Sequence, residues 1–80
     1  MVNGENMSRK DGSYVKKMRL DAIAKRIAKE FPNPVSFSRV VLWAVTEIGL
    51  TRGRAEEYVS DVVAAHGWFL DGDQIKAMVD

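Results

Sequence analysis

The 80-residue chain has no cysteine, two prolines and a single histidine. Without cysteine there is no disulfide, no thiolate metal site and no cysteine nucleophile, a usage that fits an intracellular protein. His66 has no second histidine or cysteine with which to share a zinc ion. Asp71 and Asp73 flank Gly72, but two carboxylates fall far short of the oxygen set that a calcium loop gathers. The glycines do not form a P-loop pattern. Nucleophile, base and oxyanion donors do not assemble, so no enzyme, no cofactor, no metal and no small-molecule substrate are predicted. No apolar run approaches the roughly 20 residues that span a bilayer. The N-terminus also lacks the apolar core of a signal peptide. These absences predict a soluble, cytoplasmic protein with no membrane partner.

What is present fits one small domain, with 46% hydrophobic and 29% charged residues and no internal repeat or low-complexity tract. The net charge of +1 hides a split. Residues 1–39 carry nine Lys/Arg against four acids, whereas residues 40–80 carry three against seven. Such an asymmetry makes a positive face that attracts an anionic polymer. It equally favours head-to-tail association of two copies.

Residues 1–13 (MVNGENMSRKDGS) are polar and aperiodic, and are predicted to be a flexible basic tail carrying Arg9 and Lys10. Residues 14–80 form the domain. A first helix is expected from Tyr14 to Glu30, with Leu20, Ile23, Ala24, Ile27, Ala28 and Phe31 on its buried face. Phe31-Pro32-Asn33-Pro34 ends it, because a residue before proline is pushed out of the helical region. Val35 and Ser36 are expected to form a one- or two-residue strand. A second helix, capped by Ser36 or Ser38, runs to about Ile48 and buries Phe37, Val40, Val41, Ala44, Val45 and Ile48, with Trp43 at the boundary. Gly49 closes it in the left-handed region. A third helix starts at Thr51, buries Ala55, Tyr58, Val59, Val62 and Val63, and stops at His66-Gly67. Trp68-Phe69-Leu70, the turn Asp71-Gly72-Asp73 and Gln74–Met78 read as a hairpin that packs through Trp68, Leu70 and Ile75.

Three helices, a mini-strand and a C-terminal hairpin over residues 18–79 resemble the winged helix-turn-helix family. The pattern is most specific in Gly49-Leu50-Thr51, Glu57-Tyr58-Val59 and Gly67-Trp68-Phe69-Leu70-Asp71-Gly72-Asp73-Gln74-Ile75. It is similar to small prokaryotic transcription regulators, particularly archaeal ones, and in size to those of plasmids and viruses. The resemblance implies an α+β fold with a C-terminal β-hairpin wing, sequence-specific binding of double-stranded DNA, transcription regulation and nucleoid association. It places Thr51, Arg52 and Arg54, with Glu57 or Ser60 behind them, near DNA at the start of the helix that enters the major groove.

Physically that first turn suits the role, since free amides and the positive helix end favour a phosphate and arginine reaches the two acceptors of guanine. The alternative for Arg52 and Arg54 is pairing with Glu47, Glu56 or Glu57 at the surface. The helix is acidic beyond its first turn, and the wing tip carries Asp71 and Asp73 where a basic residue would suit DNA better. Much of the electrostatics is therefore expected from Lys16, Lys17 and Arg19 on the first helix, from Arg39 on the second, and from the Arg9-Lys10 arm, with Ser38 as a further candidate DNA contact. The runner-up function is a winged-helix protein–protein interaction module that presents its acidic C-terminal half to a basic partner. Tyr14, Val15 and Met18 either form the contact of a homodimer or extend the monomer core.

Overall fold

A computed structural model of the chain describes residues 3–78. It shows a small α+β domain in which three helices pack with a three-stranded antiparallel sheet. Helix α1 spans Asn3–Ala28, so it begins well before the expected start at Tyr14 and the backbone of the predicted tail is helical from Asn3. Its end tightens into a turn, with the amides of Glu30 and Phe31 reaching back to the carbonyls of Ile27 and Ala28 at 3.1 and 3.2 Å. Leu20, Ile23, Ala24, Ile27 and Phe31 meet the core as expected. Ala28 does not: it is exposed, because it lies off the centre of the stripe set by Ile23 and Ile27.

Strand β1 (Val35–Ser36) leads directly into helix α2 (Phe37–Trp43). Ser36 is the cap of α2, and its hydroxyl accepts from the Arg39 amide at 3.3 Å. The expected single helix to Ile48 is instead α-helical to Trp43 and π-helical over Ala44–Ile48. Thr46 is the local cause, since its hydroxyl donates to the carbonyls of Leu42 and Trp43 at 3.0 and 3.2 Å and competes with the regular ladder. The widened turn closes at Gly49, whose φ of 85° suits only a residue without a Cβ. Leu50 then drops into the core, and Thr51 opens helix α3 (Arg52–Ala65).

Helix α3 buries Ala55, Tyr58, Val59, Val62 and Val63, the five positions its periodicity predicts. Its C-terminus ends at Gly67, with the Gly67 amide on the Ala64 carbonyl at 3.2 Å and the Trp68 amide on the Val63 carbonyl at 3.0 Å. This paired arrangement satisfies the last open carbonyls. It also withdraws Trp68 from the sheet, so strand β2 is Phe69–Asp71 rather than Trp68–Leu70. Strand β3 is Gln74–Lys76, shorter than expected because Lys76 already faces Phe69, the first residue of β2. The hairpin loop is the two-residue Gly72-Asp73, with Gly72 at φ 64° in the position where such loops demand glycine.

The sheet order is β1-β3-β2, so Ile75 lies between Val35 and Leu70. Ile75 is fully buried and joins Ile23, Ile27, Val40 and Val59 as the largest side chains sealed in the core. Leu70 is not a packing residue: it is 44% exposed although it shares a face with its partner Ile75, because it lies on β2 at the edge of the sheet. Trp68 packs against the core at its edge, and its ring meets Phe31 edge-on with centroids 5.0 Å apart. Tyr14, Val15 and Met18 are exposed, which removes them from the monomer core.

Candidate nucleic-acid interface

The start of α3 is open. Thr51 adopts an extended conformation and its hydroxyl accepts from the Arg54 amide at 3.3 Å. The Ala55 amide continues the helix onto the Thr51 carbonyl at 2.8 Å. The amides of Arg52 and Gly53 have no acceptor among the described residues. Helix N-termini leave such groups free, and the helix field favours negative charge beside them. The Arg52 side chain is 81% exposed and that of Arg54 60%. Both arginines contact their own helix, Arg52 Nε to Glu56 Oε2 at 3.4 Å and Arg54 Nε to Glu57 Oε1 at 4.0 Å. The surface pairing weighed as the alternative is therefore the geometry of the free chain. Exposed pairs of this kind contribute about 0.2–1 kcal/mol, too little to hold a guanidinium against a phosphate or a base edge.

The start of α2 is closed. Asp73, in the hairpin loop, reaches back across the domain. Its Oδ2 accepts from the Ser36 hydroxyl at 2.6 Å, and its Oδ1 accepts from the Ser38 hydroxyl at 2.6 Å and the Ser38 amide at 3.1 Å. The Asp73 carbonyl accepts from the Phe37 amide at 2.6 Å. Hydrogen bonds from Ser36 and then Ser38 hold the Asp73 carboxyl below the ordinary carboxylate range. Ser38, a candidate DNA contact, thus has both its donors engaged inside the protein. The second acid of the tip is satisfied too: Asp71 accepts from the Lys76 ammonium at 2.8 Å, which lowers its pKa.

These pairings redistribute the charge available to a partner. Among the described side chains of residues 14–78 there are ten Lys and Arg. Four of them, Arg26, Arg52, Arg54 and Lys76, sit in ion pairs with Glu30, Glu56, Glu57 and Asp71. The remaining six are Lys16, Lys17, Arg19 and Lys25 on α1, Lys29 just after it, and Arg39 in the first turn of α2. Lys16 lies with its ammonium 5.7 Å from the ring centre of Tyr58 on α3. Arg54 is one helical turn upstream of Tyr58 on α3. Lys17, next to Lys16, is exposed and Arg19 half-buried, whereas Arg39 lies apart on α2. The side chains of Arg9 and Lys10 lie outside those described.

At the far end of α3, His66 Nδ1 is 3.1 Å from the Val62 carbonyl oxygen and the ring stacks on Trp68 with centroids 4.6 Å apart. The histidine closes the helix end against the indole. Among the described residues no group of three or more His, Cys, Asp or Glu is placed to hold a metal ion. None of the described helices is long and apolar enough to cross a membrane.

Sequence reasoning identified the open α3 turn but not the closure of α2 by Asp73. The signal for it was there: serines spaced two apart at a helix start, and an acid in a hairpin loop whose strand returns beside β1. What was lacking was the pairing of β1 with β3, which a two-residue strand does not announce. No known family model, curated protein or solved structure matches this chain.

Proposed function

We propose that the chain is a winged helix-turn-helix domain that binds double-stranded DNA as a small transcription regulator, with α3 in the major groove and the β2–β3 hairpin as its wing. The element order and the β1-β3-β2 sheet are compatible with that layout. The observation that carries the reading is the open first turn of α3. Two amides there lack acceptors, and two well-exposed arginines stand over them, held only by weak surface pairs. A phosphate fills the amides, and Arg52 or Arg54 leaves its glutamate for a base edge. Lys16, Lys17 and Arg19 extend the positive surface beside α3 and supply the salt-dependent part of binding. Asp73 keeps its negative charge but is turned toward the start of α2, where its oxygens accept hydrogen bonds from Ser36 and Ser38. A homodimer through the exposed Tyr14, Val15 and Met18 would place two such helices on a two-fold site. The protein acts at the nucleoid.

The test is a duplex titration at low and moderate salt with wild type and the double variant Arg52→Ala/Arg54→Ala. Wild type is expected to bind with an affinity that falls as salt rises. The double variant is expected to lose sequence preference, each bidentate base contact being worth about 1–3 kcal/mol. Salt-sensitive binding untouched by the substitutions would move the interface to α1. Absence of duplex binding at low salt would sink the reading and leave the acidic C-terminal half as a surface for a basic protein.

A further inference from the structure

A groove of about 650 Å³ separates the C-terminal half of α1 from the outer face of α2. Arg26 and Glu30 form one wall, Arg39 the other, and Leu42 and Trp43 line it between them. A second depression, sharing Arg26, Glu30 and Trp43, continues toward Lys25 and Lys29. Two acids line this region, Glu30, paired with the Arg26 guanidinium, and Asp73, which keeps its charge while accepting from Ser36 and Ser38; against them stand Lys25, Arg26, Lys29 and Arg39. The Glu30 carboxyl is held below its ordinary range by Arg26 first, with the charges of Lys29 and Arg39 adding to it. Lys29 and Arg39 are in no ion pair among the described residues. The apolar part is open: Leu42 is 63% exposed. The Trp43 ring is half-buried with the Arg26 guanidinium carbon 5.9 Å from its centre.

From this arrangement we infer that the α1–α2 groove docks an acidic amphipathic segment of a partner protein, its apolar side chains on Leu42 and Trp43 and its carboxylates on Lys29 and Arg39. Charge and shape both select that class. A small ligand site encloses most of its occupant, and this groove is open along its length. A phosphate backbone gains nothing from an exposed leucine. An amphipathic peptide covers the leucine and the indole together and meets cations on both rims, the helix-in-groove mode of recognition. The surface is separate from the first turn of α3, so a duplex and a peptide do not compete for it, and the inference stands whether or not the chain binds DNA.

The experiment is titration calorimetry of the full chain with a synthetic acidic peptide of roughly 15 residues, about four helical turns, carrying Leu and Glu at helical spacing. The comparison peptide has Lys in place of every Glu. Two variants test the groove, Leu42→Glu and Lys29→Glu. Both positions are exposed, and circular dichroism verifies that each variant keeps the helical fold. The acidic peptide is expected to bind more weakly as salt rises, and to lose about tenfold or more in affinity with either variant. Duplex binding is expected to be unchanged by Leu42→Glu, and peptide binding unchanged by Arg52→Ala/Arg54→Ala. Absence of peptide binding at low salt, equal binding of the lysine peptide, insensitivity to both variants, or displacement of the peptide by duplex would each overturn the assignment.

Discussion

Helices α2 and α3 begin in the same way, with a hydroxyl residue in extended conformation accepting from the amide three residues on. From there they diverge. At α2 the amides of Phe37 and Ser38 are filled by Asp73, and no position is left for an outside anion. At α3 the equivalent amides of Arg52 and Gly53 are unfilled, and arginines rather than an aspartate stand beside them. The difference teaches that a helix N-terminus acts as a binding site only where the protein has not supplied its own anion. It also shows what the acid of the hairpin loop does in the fold, since Asp73 is bound to the α2 start.

The comparison breaks most severely if the hairpin is undocked. Ile75 is fully buried at the centre of the sheet and holds the strand that follows Asp73. Ile75→Ala is expected to cost about 2–5 kcal/mol of folding stability, read from urea denaturation. Next in size, the open start can be made to resemble the closed one. A Cβ at Gly53 meets nothing within 4 Å, so Gly53→Asp introduces a carboxylate without a clash. The helix field favours that charge, and the thermal midpoint should hold or rise. Duplex affinity should fall about tenfold or more, as a carboxylate replaces the phosphate. Retained affinity would show that the open turn is not where DNA sits.

Thr51→Ala is a smaller change, expected to cost about 1 kcal/mol in thermal or urea unfolding. Ser36→Ala removes the matching cap at α2 but also a donor to Asp73, so its cost should exceed that of Thr51→Ala. The mildest test is pH. Asp73 and Asp71 have folded pKa values below their unfolded ones, the first through Ser36 and Ser38, the second through Lys76. Their stabilisation is present above the unfolded carboxylate pKa and is lost as pH falls through the folded values. The midpoint of thermal unfolding should therefore drop on acidification below the ordinary carboxylate range, with a smaller drop in Asp73→Asn.

The helices were legible because their cores are set by spacing. The five buried positions of α3 follow from period alone, and Gly49 and Gly67 mark where the second and third helices end by a backbone requirement that few other residues meet. The errors fall where long-range pairing or a side-chain bond overrides the local pattern. Trp68 alternates like a strand residue, yet its amide is taken by Val63. Leu70 shares the inner face with Ile75, but it lies on the edge strand and stays exposed. Val45 and Ile48 suggest an unbroken α-helix, and the Thr46 hydroxyl opens a π turn within it. Arg52 and Arg54 were legible as exposed arginines at the start of α3. The distribution of usable charge was not, because it depends on which acid each cation meets in the folded chain.

The bonds from Ser36 and Ser38 to Asp73 join points 37 and 35 residues apart in the chain. Closing so long a loop costs more chain entropy than forming the local helical turns it connects. The latch is therefore expected to form late in folding and to open early in unfolding. Weakening it should then leave the refolding rate nearly unchanged and speed unfolding, so that one aspartate and two serines would set the lifetime of the docked hairpin more than the population of the folded helices.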